Sequence, residues 1–285
     1  MKNYLIPFLI IVAFVVGCAQ APINFNQALL YPEDQQSAEN SPTPEDLNPP
    51  KNYIAFTAVR VHSQLTRYHQ ALTLGFIQAS IETYTTLGIV PEYQIENILS
   101  SDTYRSQKPE IADVSVEMGA MLQAKYVALV NILPNLVELE EGNWGTYVNL
   151  EIYQVSPKRL AFKDTFSYTM SQSKQAWLEL KPKIQQAFPL RGFVLETRNH
   201  RAYAKVSLGK NNGIKKGRKL SIFKRVLEQK TLSDGSTQFN ESYSSLPLAK
   251  IEIMEVEDET AWGLVPPDRQ NNYVKGDAVF ADPEL

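Results

Sequence analysis

The sequence has one cysteine and three histidines among 285 residues. A lone thiol closes no internal disulfide. His62, His69 and His200 stand at no ligand spacing with carboxylates or with a cysteine, so the material for a transition-metal site is missing. No Gly-x-Ser-x-Gly elbow and no phosphate-binding loop occurs. The net charge of -3 lacks the basic excess of a general nucleic-acid binder. The one long apolar run, Leu5 to Val16, falls short of the about 20 residues of a spanning helix. No acid and base are paired in a catalytic pattern. The expectation is a non-enzymatic protein with no cofactor and no metal. Glu138, Glu140 and Glu141 cluster near a hairpin tip, but without the spacing of a calcium loop.

What is present is apolar material for one or two cores, at 44% hydrophobic residues, and an N-terminus of definite design. Lys2, then the apolar run broken only by Pro7, then small Gly17, is the layout of a secretory signal over residues 1–17. Gly17-Cys18 resembles the lipobox of bacterial lipoproteins. That resemblance implies cleavage before Cys18, a diacylglycerol thioether on its sulfur and acylation of its amine. The other reading is an ordinary secretory signal with an incidental cysteine. Several acyl chains, at about 0.8 kcal/mol per buried methylene, hold a protein on a membrane almost permanently. By the same resemblance, Ala19 in place of an aspartate implies the outer membrane, with the folded domains in the periplasm. Nucleic acid is then excluded by compartment as well.

Residues 18–51 carry Tyr31-Pro32-Glu33-Asp34, Ser41-Pro42-Thr43-Pro44-Glu45-Asp46 and Pro49-Pro50. Proline, acids and amides without apolar periodicity predict a disordered tether. About 30 flexible residues span on the order of 30 Å and would stand the folded part off the membrane.

The fold class expected is α+β, in two domains. Residues 52–190 read as a mixed α/β domain. Tyr53 to Val61 is a buried strand, and a helix from about Thr66 to Leu87 follows, with Gly88 as its stop. A short helix spans Glu92 to Leu99, and another opens near Pro109. Three strands follow, from Tyr126, Thr146 and Leu160, and a helix from Lys174 to Phe188 closes the unit. Met118-Gly119-Ala120, Gln123-Ala124-Lys125-Tyr126-Val127, Ile152-Tyr153 and Arg159-Leu160-Ala161 occur in that order. In this the unit resembles the one shared by the lipoprotein CsgG and the N-terminal domain of TolB, and is similar to the middle domain of FlgT. The resemblance implies an envelope assembly, flagellar or secretory, and self-association. It leaves a CsgG-like export channel as an alternative, although no spare pair of membrane hairpins is present. A peptidoglycan-associated enzyme or enzyme activator is the other.

Residues 191–285 read as a small β-barrel: short strands, with turns at Asn211-Asn212-Gly213 and Ser233-Asp234-Gly235. Two segments echo each other, Lys216-Gly217 leading into Leu220 to Phe223 and Lys275-Gly276 leading into Ala278 to Phe280. The passage Val206 to Phe223 resembles the C-terminal barrel of FlgT. From Arg201 to Lys230 there are ten basic residues against the single acid Glu228. Lys215, Lys216, Arg218 and Lys219 flank Gly217 and are the candidate partner-binding residues, facing an anionic lipid, peptidoglycan or an acidic protein. The alternative is a solubilising face balanced by the later acids.

Overall fold

A computed structural model describes residues 23–39, 41–47, 49–138, 144–231 and 237–283. Its first helix, α1 (Pro44–Leu47), is a single turn ahead of a sheet. Five successive residues of the next element, Ile54 to Ala58, are buried. Such a run belongs to a strand covered on both faces. This strand, β1 (Tyr53–Val61), lies in a sheet of order β2-β1-β3-β4-β5. The others are β2 (Gly88–Ile89), β3 (Tyr126–Glu138), β4 (Trp144–Gln154) and β5 (Arg159–Tyr168). Strand β1 runs parallel to β2 and β3, while β3, β4 and β5 form an antiparallel meander.

The alternation of each strand assigns its neighbours. Ile54, Phe56, Ala128, Val130, Ile132, Leu150 and Ile152 share a core with Ile77 and Ile81 of α2 (Arg67–Tyr84) and Leu180 and Ile184 of α5 (Ser173–Ala187). Ala55 and Val127 point the other way, onto Ile95 of α3 (Glu92–Leu99) and Val116 and Met118 of α4 (Ala112–Met121). A Cβ on Gly119 would stand 2.4 Å from Val127 Cγ1, so α4 presses directly on β3. Helix α2 ends three residues before the expected Leu87. Thr85 turns extended there, its hydroxyl donating to the Ile81 carbonyl and accepting from Leu87 N–H. Gly88, expected as a helix stop, instead pairs with Tyr53 in β2.

The second core is a closed barrel of order β11-β12-β7-β6-β13-β8. Its strands are β6 (Arg191–Arg198), β7 (Tyr203–Val206), β8 (Lys219–Phe223), β11 (Ala249–Val256), β12 (Ala261–Leu264) and β13 (Ala278–Ala281). Val194, Val206, Leu220, Ile222, Ile251, Ile253 and Val279 fill it. The two Lys-Gly segments prove to be adjacent: β8 and β13 pair antiparallel, Val279 opposite Ile222. Gly217 and Gly276 both take positive φ, 83° and 94°, where an L-residue is strained. Between β8 and β11 the chain leaves the barrel as a separate hairpin, β9 (Arg225–Thr231) and β10 (Thr237–Tyr243). The chain thus breaks at Lys224 between β8 and β9, and the expected turn Ser233 to Gly235 lies outside the described residues.

The largest correction is to the tether. Residues 23–39 and 41–47 do not behave as a spacer; they lie on the barrel as a strap. Phe25 is 3% exposed, Asp34 is buried, and Ser37 bridges to Lys275. Buried anchors and hydrogen bonds at irregular intervals offset the entropy of ordering, and proline has already restricted part of that freedom.

Candidate functional site

The strap is held by side chains of the barrel's outer surface. Trp262 follows inward-facing Ala261 on β12 and so points outward, yet it is fully buried. Phe25 stacks on it, ring centroids 5.7 Å apart and nearly parallel. The Arg198 guanidinium and the Lys205 ammonium lie over the same indole at 5.9 and 5.7 Å, within cation–π range. Arg198 also donates to the Asn26 and Ala28 carbonyls.

Further along, Asp34 accepts three backbone N–H groups. Tyr31 N–H, at 2.9 Å, is local to the strap; His200 N–H, at 3.2 Å, and Arg201 N–H, at 2.7 Å, belong to the β6–β7 turn. That turn is costly by itself, because Asn199, His200 and Arg201 are three successive non-glycine residues with φ of 55°, 56° and 63°. The Arg201 guanidinium donates to Glu33 O and to Gln36 Oε1, and Tyr273 O–H donates to the Arg201 carbonyl at 2.5 Å. His200 stacks on Tyr31 and hydrogen-bonds Glu33, which holds the Glu33 carboxyl below its usual range.

The far end of the strap is fixed by Arg225. Its guanidinium meets Asp46 at 2.8 Å and Glu241 of β10 at 2.7 Å. Burial alone would raise the Asp46 carboxyl, but the Thr43 amide and Arg225 together hold it below the usual carboxylate range. A depressed acid contributes stability above its unfolded pKa and loses it as pH falls through the folded one. This contact is therefore intact at neutral pH.

These positions revise the basic run. Lys215, Lys216 and Lys219 are exposed, as a binding surface requires, but Arg218 is 8% exposed and donates to the Asp282 carbonyl at 2.9 Å. Burial pulls its pKa below the ordinary arginine range. Arg218 is therefore withdrawn as a partner-binding residue. Arg201 and Arg225 are likewise buried and occupied by the strap. Spacing along the chain did not reveal this, because arginines that reach carbonyls and carboxylates distant in sequence look identical to solvated ones. Lys219 borders a groove of about 570 Å³ lined by Ile251, Leu264, Val265 and Pro266. Cys18 lies outside the described residues, as do Glu140 and Glu141.

No protein-family model matches the chain, and no curated protein matches it. Among solved structures it is similar to the C-terminal domain of LpoB from Salmonella enterica, at 12% identity and a TM-score of 0.32, over 51% of this chain and 98% of that one. It is similar to the PelC dodecamer from Paraburkholderia phytofirmans at 12% identity and a TM-score of 0.30, over 48% of this chain and 87% of that one. TolB from Acinetobacter baumannii matches at 12% identity and a TM-score of 0.31, over 79% of this chain and 58% of that one. Similarity at this level does not extend to activity or partners.

His69 Nδ1 lies 2.8 Å from Thr66 Oγ1 at the start of α2, and His62 Nδ1 accepts from Gln64 N–H, so both serve the backbone locally. Among the described residues no group of three or more His, Cys, Asp and Glu is placed to hold a metal ion.

A charge test separates the exposed lysines from the buried arginine. Reversing Lys215, Lys216 and Lys219 to Glu should change stability by no more than about 0.5 kcal/mol each. It should weaken binding to purified sacculi or anionic vesicles, with a deficit that shrinks as salt shortens the Debye length from about 10 Å at 0.1 M to 3 Å at 1 M. Arg218→Glu should instead lower the melting temperature at any salt. Equal binding by parent and triple variant would leave the lysines as a solubilising face.

Proposed function

We propose that this protein is a non-enzymatic scaffold or adaptor of a cell-envelope assembly, lipid-anchored through Cys18 to the outer membrane, with its folded domains in the periplasm. The observation that carries the reading is the strap. Phe25 is buried against Trp262 only seven residues after Cys18, so a chain fastened to lipid at Cys18 is fastened again, by packing, to the barrel. Such a double fastening suits a protein that presents a rigid surface at a membrane. The outer surface of the α/β domain and the exposed lysines remain available to other proteins or to peptidoglycan. Flagellar or secretion machinery is the assembly class that the sequence resemblance favours.

Fractionation of cells carrying Cys18→Ala tests the anchor. The variant should leave the membrane fraction while keeping the parent's protease-resistant core. Retention of the variant in the membrane fraction at the parent's level would overturn the anchored reading. The lysine reversal described above tests the adaptor half independently.

A further inference from the structure

Three of the twelve large apolar side chains that are exposed among the described residues fall within eight consecutive positions of the strap: Ile23 at 40%, Leu29 at 65% and Leu30 at 53%. The rest are scattered over both domains. These three are not loose. Phe25 is seated on Trp262, Arg198 grips the Asn26 and Ala28 carbonyls, and Asn199 N–H donates to the Leu29 carbonyl at 2.9 Å. Tyr31 is stacked on His200 directly afterwards. The backbone is thus fixed on both sides of Leu29 and Leu30 while their side chains face outward.

We infer that this end of the barrel is the membrane-contacting face, with Ile23, Leu29 and Leu30 seated in the lipid surface to which Cys18 is attached. The inference rests on the anchored reading above. What commits it to lipid is the length of chain outside the described residues. Ile23 comes five residues after Cys18, and at about 3.5 Å per residue those five steps reach at most about 18 Å even when fully extended. An anchor at Cys18 therefore brings this end of the barrel against the bilayer. Exposed leucines beside an obligatory lipid surface lose their contact with water by turning toward it. The barrel does not stand off on a spacer, and because β6 enters from α5 at Arg191 and reaches the β6–β7 turn only after Arg198, the α/β domain joins the barrel at its other end.

The chain from Cys18 to Leu285, whose only thiol is Cys18, can be coupled through that thiol to a maleimide lipid in phosphatidylethanolamine–phosphatidylglycerol vesicles. Coupling supplies the anchor chemically, so its outcome does not depend on whether cells lipidate the protein; Cys18→Ala fractionation reports on that alone. Leu30→Trp adds a reporter at the proposed face, and Tyr93→Trp adds one of similar exposure, Tyr93 being 61% exposed, on α3. Both sites are on the surface, so folding is preserved. The emission added by Leu30→Trp should lie to the blue of that added by Tyr93→Trp, and acyl-chain-brominated lipid should quench it at least two-fold while leaving Tyr93→Trp unchanged. Leu29→Trp should behave as Leu30→Trp. Equal quenching at positions 30 and 93, or none at 30, would overturn the inference. A blue shift at position 30 without bromine quenching would also overturn it, by showing that a second copy or another protein covers the leucines.

Discussion

Asp34→Ala should free the strap while leaving the barrel closed. The Asp34 carboxylate takes two hydrogen bonds from barrel N–H groups, those of His200 and Arg201, besides its local bond from Tyr31. Hydrogen bonds to a charged group contribute about 1.5–3 kcal/mol each, so losing the two barrel bonds costs roughly 3–6 kcal/mol of docking. The loss exceeds the bonds themselves. His200 and Arg201 are held in left-handed geometry that each avoids by about 1–2 kcal/mol, and Asp34 is what satisfies the N–H groups of those two residues. Thr197 Oγ1–H, which donates to the Asp34 carbonyl at 3.0 Å, loses its fixed partner as well. Amide exchange in the middle of the strap, across residues 31–38, should accelerate by about 100-fold or more, since each 1.4 kcal/mol is tenfold. Amides of Val194, Ile222 and Ile253, in the barrel core, should keep their protection. If exchange in the strap is unchanged, Asp34 is not the latch.

Gly209→Ala should damage the barrel itself. The backbone at Gly209 has φ -130° and ψ -160°, which many residues adopt, so conformation is not the obstacle. Space is. A Cβ there would stand 2.5 Å from the carbonyl carbon of Glu259 and from the nitrogen of Thr260, and 2.6 Å from the Asp258 oxygen. All three are backbone atoms of the β11–β12 turn, which cannot rotate away as a side chain can. That turn also receives Lys210 N–H at Glu257 O, 2.9 Å, and Asn211 N–H at Asp258 O, 2.8 Å. Relief of the clash breaks both. The expected cost is about 3 kcal/mol, the upper part of the usual range for overpacking. At about 4–8 °C per kcal/mol for a domain of this size, the barrel's melting temperature should fall by on the order of 15 °C. Gly217→Ala is the control. Nothing lies within 4 Å of its Cβ, and its φ of 83° costs about 1–2 kcal/mol. Equal losses for the two variants would contradict the steric account.

The sequence was most legible where pattern is local. The apolar, β-rich run Tyr53 to Val61 marked β1, and the period-two alternation of Thr146 to Val155 marked β4. The Lys-Gly echo marked two strands that the barrel places side by side, each entered through a glycine of positive φ. It was least legible where the deciding partner is remote. Arg201, Arg218 and Arg225 counted as surface charge in sequence, but their partners Glu33, Asp282 and Asp46 are distant along the chain or reached only through carbonyls. Phe25 stands among Ile23, Leu29, Leu30 and Tyr31 with no helical or strand period to say which of them is buried. Strand β10, Thr-Gln-Phe-Asn-Glu-Ser-Tyr, is mostly polar because it stands outside the barrel and pairs only with β9.

The way the strap is attached also determines how the molecule answers a pull. Among the described residues, apart from the single bridge of Ser37 to Lys275, no strand ladder joins it to the barrel. Its fastenings are discrete: Phe25 on Trp262, Arg198 on Asn26 and Ala28, Asp34 and Glu33 on the β6–β7 turn, and Asp46 on Arg225. Tension entering from the N-terminal side loads these one at a time, whereas ladder bonds loaded in shear would resist together. The strap therefore yields in steps while both cores remain folded. From Phe25 to Asp46 it would pay out about 70 Å of contour at about 3.3 Å per residue. At rest the protein is held close, and under load it carries its own reserve of length.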